Sequence, residues 1–332
     1  MSGSTTIHRR LVVLAVAVAL PLGGLAAFGV YSQFVDDRAH ALQQLAFIKD
    51  LNADRARAYL AETREKLERL AHLDAIREMR AADVARVFES LHLTNPDAAN
   101  IRLLDTEHRV VASMSEPHPE ALSQLLATAP YRAASAAEGF AISEPYQGVV
   151  TRRWSTLLSM PVTDASGVRR GTLVMPLNVQ QVAETLNLAP EPRGMRVGIV
   201  HRNGTIVLSR PDAAIVGSTL PGFAALAEQL ARGRTNGIEL TDDSGMRRVV
   251  AASPLTGTPW IAFASLPADE IYREARADLA EAVAAAIIVI ALGAFLVARH
   301  TRAIEEPIMA LAATARAQAA GQADTLAPVR GP

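Results

Sequence analysis

Between residues 131 and 154 the chain gathers side chains suited to gripping a small anion: Tyr131, Arg132, Glu144, Tyr146, Arg152, Arg153 and Trp154. The whole chain contains only five tyrosines and two tryptophans, yet Tyr131, Tyr146 and Trp154 fall within this one stretch. Guanidinium forks match carboxylates and phosphates geometrically, and aromatic walls exclude water so that each charge-assisted hydrogen bond is strengthened. The competing reading places Tyr146 and Trp154 in a core and leaves Arg152 and Arg153 on a solvated strand edge.

Other chemistries are excluded by what the chain lacks. It has no cysteine, so no thiolate nucleophile, disulfide framework or cysteine-ligated metal can form. Its eight histidines are scattered without metal-ligand spacing, and no nucleophile elbow, Walker loop or dinucleotide fingerprint occurs. No catalytic residue, metal or cofactor is expected. A formal charge of −1 argues against a nucleic-acid partner. Half of the residues are hydrophobic and only 20% charged, a balance that points to membrane segments.

Two apolar runs answer to that expectation. Residues 11–31 contain "LVVLAVAVALPLGGLAAFGV", about twenty residues without a charge, enough for a helix of about 30 Å. The basic "IHRR" and small "GLAA" would also suit a secretory signal, but the run is longer than a cleavable core and flows into a long helical pattern. The second run, 280–299, contains "AVAAAIIVIALGAFLVA". Arg9 and Arg10 precede the first run and Arg299 and Arg302 follow the second, whereas Asp36, Asp37, Asp269, Glu270, Glu274 and Asp278 crowd the other ends. The positive-inside bias therefore places 1–10 and 300–332 in the cytoplasm and about 32–280 on the far side of the plasma membrane.

Residues 32–92 lack glycine and proline and space Val35, Leu42, Leu45, Leu51, Leu60, Leu67, Leu70, Leu73 and Ile76 at helical intervals. A long helix with one break near "HLDAIREMRAAD" is expected. His40 on this helix lies on the side away from ATP and reads as a solvated residue rather than a phospho-acceptor.

Beyond it the period becomes alternating, and a sentence is written twice: "IRLLDTEHRVVAS" (101–113) and "VGIVHRNGTIVLS" (197–209). Each is strand, polar turn, strand. Further strands are expected at "FAISEPY", "WSTLLSMPV" and "GTLVMPL", then at "GIEL", "RRVVAASPL" and "WIAFASL", with helices at 119–127, 179–186 and 223–232. "TDASGVRR" and "TDDSGMRR" look like a repeat but are out of phase with the hairpins, and read as two separate Asp-x-Ser-Gly turns.

The two hairpins, "SEPY" (143–146) and "SMPVTDASGVRRGTLV" (159–174) together resemble the double Cache (tandem PAS-like) sensor family of bacterial receptors. The resemblance implies an α+β fold: a long N-terminal helix carrying a membrane-distal module (93–190) and a membrane-proximal module (191–275). Each would be a five-stranded antiparallel sheet with helices, the whole flanked by two transmembrane helices. In such families the distal module holds the small-molecule ligand. The amino-acid-binding members carry an Arg-x-Trp-Tyr element and an Asp on the last strand. Here Thr128-Ala129-Pro130-Tyr131 and Val174-Met175-Pro176-Leu177 keep only the tyrosine, so an organic acid is expected rather than an α-amino acid.

The tail at 300–332 resembles the first half of a HAMP linker, with Pro307 and a seam of Ile304, Ile308, Leu311 and Ala315 ended by Gly321. It implies a parallel homodimer and a longer receptor of which this chain is the N-terminal part, with a histidine kinase of a two-component system as output. A diguanylate cyclase or chemoreceptor output, or a stand-alone solute-binding protein, is the alternative.

Overall fold

The computed structural model describes residues 4–94, 100–115, 119–149, 152–188, 194–242 and 244–271, together with single helical positions between 280 and 299. The linker residues Pro307, Ile308, Leu311 and Gly321 lie outside the described residues. The chain divides into a central unit, His40–Ile271, and a second unit formed by the segments flanking it. No helix among the described residues is long and apolar enough to cross a membrane. The two expected spans fall in large part on positions whose side chains are outside the described set.

Helix α1 (Ser4–Ala71) is followed by a short α2 (Asp74–Arg77) and by α3 (Ala81–Thr94). The expected single break is thus two: Leu73 turns to extended backbone before α2, and Met79 adopts φ 54° after it. The buried stripe of α1 also differs from its leucine pattern. Leu45, Leu60 and Leu67 are buried, but Leu51, Leu73 and Val35 are exposed. Their places are taken by Ala53, Ala56 and Thr63, small residues that let a helix approach its neighbours closely. Lys49 is buried on this stripe, its ammonium bonded to Asn236 Oδ1 at 3.2 Å and paired with Asp50 at 2.9 Å.

Two antiparallel sheets follow. The first contains β1 (Arg102–Asp105), β2 (Val110–Ser113), β3 (Ala141–Ile142), β4 (Tyr146–Gln147), β5 (Trp154–Thr163) and β6 (Arg169–Asn178), ordered β2-β1-β6-β5-β3 with β4 also on β5. Between β2 and β3 run α4 (Pro119–Leu126) and α5 (Ala129–Ala136). After β6 comes α6 (Val179–Thr185), started by Asn178, whose side chain accepts from Gln180 N at 3.0 Å. The second sheet contains β7 (Arg196–His201), β8 (Ile206–Arg210), β9 (Ile238–Thr241), β10 (Arg247–Pro254) and β11 (Trp260–Pro267), ordered β8-β7-β11-β10-β9. Helix α7 (Phe223–Ala231) connects β8 to β9, and α8 (Ala268–Ile271) follows β11.

The two strand orders are the same, and the repeated hairpins match in detail. Each has a register shift at the corresponding place, between Leu103 and Leu104 and between Ile199 and Val200. Each turn is closed by a polar side chain: Asp105 Oδ1 accepts from Glu107 N and Arg109 N at 2.9 and 2.8 Å, and Asn203 Oδ1 accepts from Thr205 N at 3.0 Å. The two Asp-x-Ser-Gly turns occupy different hairpins, Asp164 between β5 and β6 and Asp242 between β9 and β10. They are built alike, each carboxylate accepting from the second and fourth residues after it.

One expected strand is divided. "FAISEPY" forms β3 and β4 with a break at 143–145, where Pro145 has no N–H to offer a ladder. The first sheet therefore counts six strands instead of five.

Candidate functional site

The site grows from strand register. Arg102 on β1 lies opposite Val174 on β6, which lies opposite Ser159 on β5, so these three side chains form one row on one face of the first sheet. Leu104 and Leu157 extend that face, and α5 covers it through Tyr131 and Ala134, with Tyr146 of β4 at its margin. Helix α5 starts where it does because Pro130 sits in its first turn, a position that has no hydrogen bond to lose.

Tyr131 is 1% exposed and Arg102 5% exposed. Arg102 Nη1 donates to the Tyr131 hydroxyl at 2.8 Å. The Tyr131 and Tyr146 rings meet edge to face, centroids 6.3 Å apart and planes at 80°. Burial pushes the Tyr131 phenol above its ordinary range, with the Arg102 charge opposing. Burial pushes Tyr146 up further, helped by its neighbour Tyr131. Both hydroxyls are therefore neutral at physiological pH and able to donate as well as accept.

Two groups in this row have no hydrogen-bond partner among the described residues. Arg102 Nε and Ser159 Oγ are buried without a hydrogen bond, and no carboxylate among the described residues pairs with Arg102. A guanidinium taken out of water without a counter-charge costs several kcal/mol, of the order expected for any buried unpaired ion. One guanidinium with an unbonded Nε, two neutral phenols and a serine hydroxyl over a leucine and valine floor are donors of the kind a small carboxylate accepts from. None of the four residues Arg102, Tyr131, Tyr146 and Ser159 is acidic, so the row itself has nothing to hold an ammonium group.

Of the seven residues singled out between 131 and 154, Tyr131 and Tyr146 are brought together here. Arg132, Glu144, Arg152 and Arg153 are exposed. Trp154 turns elsewhere: a Cβ placed on Gly217, in the loop after β8, would lie 2.0 Å from Trp154 Cη2, so the indole sits directly over that glycine and joins the first sheet to the second. Arg102 and Ser159 were missed. The available signal was an arginine in an otherwise apolar strand, "IRLLD", at the position that alternates with inward Leu104.

The Cache domain profile matches residues 37–275. The chain belongs to the Cache domain family. Solved structures with this fold include the ligand-binding domain of the Pseudomonas fluorescens chemoreceptor CtaA in complex with L-serine, at 21% identity and TM-score 0.54, over 70% of this chain and 99% of that one. The extracellular domain of the putative histidine kinase rpHK1S-Z16 aligns at 13% identity and TM-score 0.56, over 70% and 97%. The ligand-binding domain of the Pseudomonas aeruginosa PAO1 amino acid chemoreceptor PctB in complex with L-Gln aligns at 18% identity and TM-score 0.54, over 73% and 98%. No curated protein sequence matches significantly. The Cache assignment accounts for the twice-written hairpin, since each copy forms one edge of one sheet, β2-β1 in the first and β8-β7 in the second.

Proposed function

We propose that this Cache chain is the sensory input of a bacterial membrane receptor and that the row Arg102, Tyr131, Tyr146 and Ser159 binds a small organic acid. The observation that carries the reading is the buried Arg102 guanidinium, which has a phenol partner and no carboxylate. A carboxylate ligand would supply the missing counter-charge and two acceptor oxygens. CtaA and PctB are bound to amino acids in their structures; here the absence of an acidic side chain beside Arg102, among the described residues, favours an acid without an ammonium group.

In this reading residues 11–31 and 280–299 cross the plasma membrane, 93–190 form the distal module and 191–275 the proximal one. Leu25, Phe28 and Tyr31 on α1 and Ile287, Ile288, Leu292 and Phe295 near the other end are all more than half exposed, a run of apolar surface that lipid would cover. Ligand binding would favour one packing of the central unit and pass through 280–299 and a HAMP linker, Pro307 to Gly321, in a parallel homodimer. The output is a histidine kinase of a two-component system. The second reading, a chemoreceptor, is favoured by the likeness to CtaA and PctB. Calorimetric titration of the purified chain against mono- and dicarboxylates and the L-amino acids tests the ligand class: heat from at least one carboxylate is expected, and heat from amino acids alone, or from none of the compounds, overturns it.

A further inference from the structure

The sequence sets asparagine before glycine twice, at Asn203-Gly204 and Asn236-Gly237. In such a pair the main-chain N–H can reach the preceding side-chain amide carbon with little obstruction, because glycine has no Cβ. The two copies are folded differently. Gly204 is buried against the Phe223 ring, and its N–H donates to the His201 carbonyl at 2.8 Å. Asn203 Oδ1 is held within the same turn, by Thr205 N at 3.0 Å and His201 Nδ1 at 2.7 Å. Asn236 and Gly237 are both exposed, just ahead of β9 at the edge of the second sheet. Gly237 has φ 70°, and a Cβ placed on it would meet only Leu42 Cδ2, at 3.8 Å. Its N–H donates to no described residue.

The Lys49 ammonium donates to Asn236 Oδ1 at 3.2 Å. Lys49 is 4% exposed, whereas the carboxylate of its other partner, Asp50 at 2.9 Å, is 58% exposed and screened by water. An ammonium carries three N–H donors, so the pair with Asp50 leaves the bond to Asn236 in place. A cation on a carbonyl oxygen holds it more tightly as that oxygen gains negative charge, and a nucleophile arriving at the carbon has that effect.

We propose that Asn236 is a site of spontaneous deamidation, with Lys49 stabilising the reacting oxygen, and that the fold spares Asn203. Hydroxide removes the Gly237 amide proton, and the nitrogen attacks Asn236 Cγ, placing negative charge on Oδ1. The Cγ–Nδ2 bond then breaks, and Nδ2 leaves as ammonia after taking a proton from water, which restores the hydroxide. Water opens the resulting succinimide at either carbonyl, giving aspartate or its β-linked isomer. In sum, a side-chain amide and water become a carboxylic acid and ammonia. The new carboxylate stands beside Lys49 and turns a neutral contact between α1 and the segment leading into β9 into an ion pair. At Asn203 the same attack requires the buried Gly204 N–H to leave the His201 carbonyl first, a local opening that the fold opposes. The inference does not depend on the Arg102 row.

The test is incubation of the full chain at mildly alkaline pH, folded and in urea, in water enriched in heavy oxygen. Peptide mapping by mass spectrometry then gives the conversion at each asparagine. In urea the two pairs should react at similar rates. Folded, Asn236 should outpace Asn203 roughly tenfold or more, as a buried hydrogen bond that must first break requires. Lys49→Met, which keeps much of the hydrocarbon volume, should slow Asn236 roughly tenfold in the folded chain and leave its rate in urea unchanged, since only folding brings the ammonium to the amide. Equal rates at the two asparagines of the folded wild type, or faster conversion at Asn203, overturn the proposal, and that comparison decides it even if Lys49→Met fails to fold. A folded Lys49→Met chain that converts Asn236 as fast as wild type overturns it as well.

Discussion

Replacing Arg102 with methionine separates binding from folding, because the two should move in opposite directions. In the free protein the change removes an unpaired buried charge, which relieves several kcal/mol of desolvation. It also leaves the Tyr131 hydroxyl without its 2.8 Å donor, a cost of about 1–3 kcal/mol. Methionine keeps much of the hydrocarbon volume, so the melting temperature should stay level or rise. Binding should collapse. Two charge-assisted hydrogen bonds to a carboxylate, at about 1.5–3 kcal/mol each, represent about 3–6 kcal/mol, or roughly 100- to 10,000-fold in affinity. A carboxylate at 100 times its dissociation constant stabilises the wild type by about 2.7 kcal/mol, a rise of about 5–11 °C for a domain of this size. With affinity cut a hundredfold, the same concentration gives about 0.4 kcal/mol and a shift near 1 °C. The assay is thermal denaturation with and without the acid. A variant that melts well below wild type yet retains a shift of several degrees would refute the assignment of Arg102 to the ligand and leave it a structural residue.

Two further predictions concern the framework. Gly217 has φ 84°, and a side chain there would run into the Trp154 ring, so Gly217→Ala should cost about 2 kcal/mol or more from left-handed strain and overlap together. In a Trp154→Ala background only the strain of about 1–2 kcal/mol should persist, and denaturant titrations that find the two changes additive within about 0.5 kcal/mol would rule out the contact. The second concerns acid. Hydrogen bonds from Ser166 to Asp164 and from Ser244 to Asp242 hold both carboxyls below their ordinary range, against a smaller opposing effect of burial. Groups whose folded pKa is depressed contribute stability above the unfolded value, near 3.9, and lose it as pH falls through the folded one. The paired Asp164→Asn, Asp242→Asn variant should therefore melt with a flatter pH profile below about pH 4 than the wild type, and unchanged acid sensitivity would show that the turns do not report that linkage.

The order of elements was legible in the sequence because it is written in local terms. Alternation of apolar residues marks the strands, and Asp105, Asn203, Asp164 and Asp242 each close a turn with hydrogen bonds that span only two to four positions. The repeat of "IRLLDTEHRVVAS" as "VGIVHRNGTIVLS" carried even the matching register shifts. The Cache fold followed from that order. The site did not, because its members are distant in the chain and meet only through the pairing of β1 with the non-consecutive β6, of β6 with β5, and the packing of α5 on that face. Arg102 reaches Ser159 by way of Val174, and a slip of one residue in either pairing would have sent it to the opposite face. Local pattern drew attention to Trp154 beside Arg152 and Arg153, whereas packing sent the indole to Gly217 and gave the buried position to an arginine that the sequence places inside a hydrophobic strand. Sequence fixes which segments extend and which turn, since those are contests between neighbours; only the assembled sheet decides which faces are covered, and a buried charge acquires meaning once its surroundings are known.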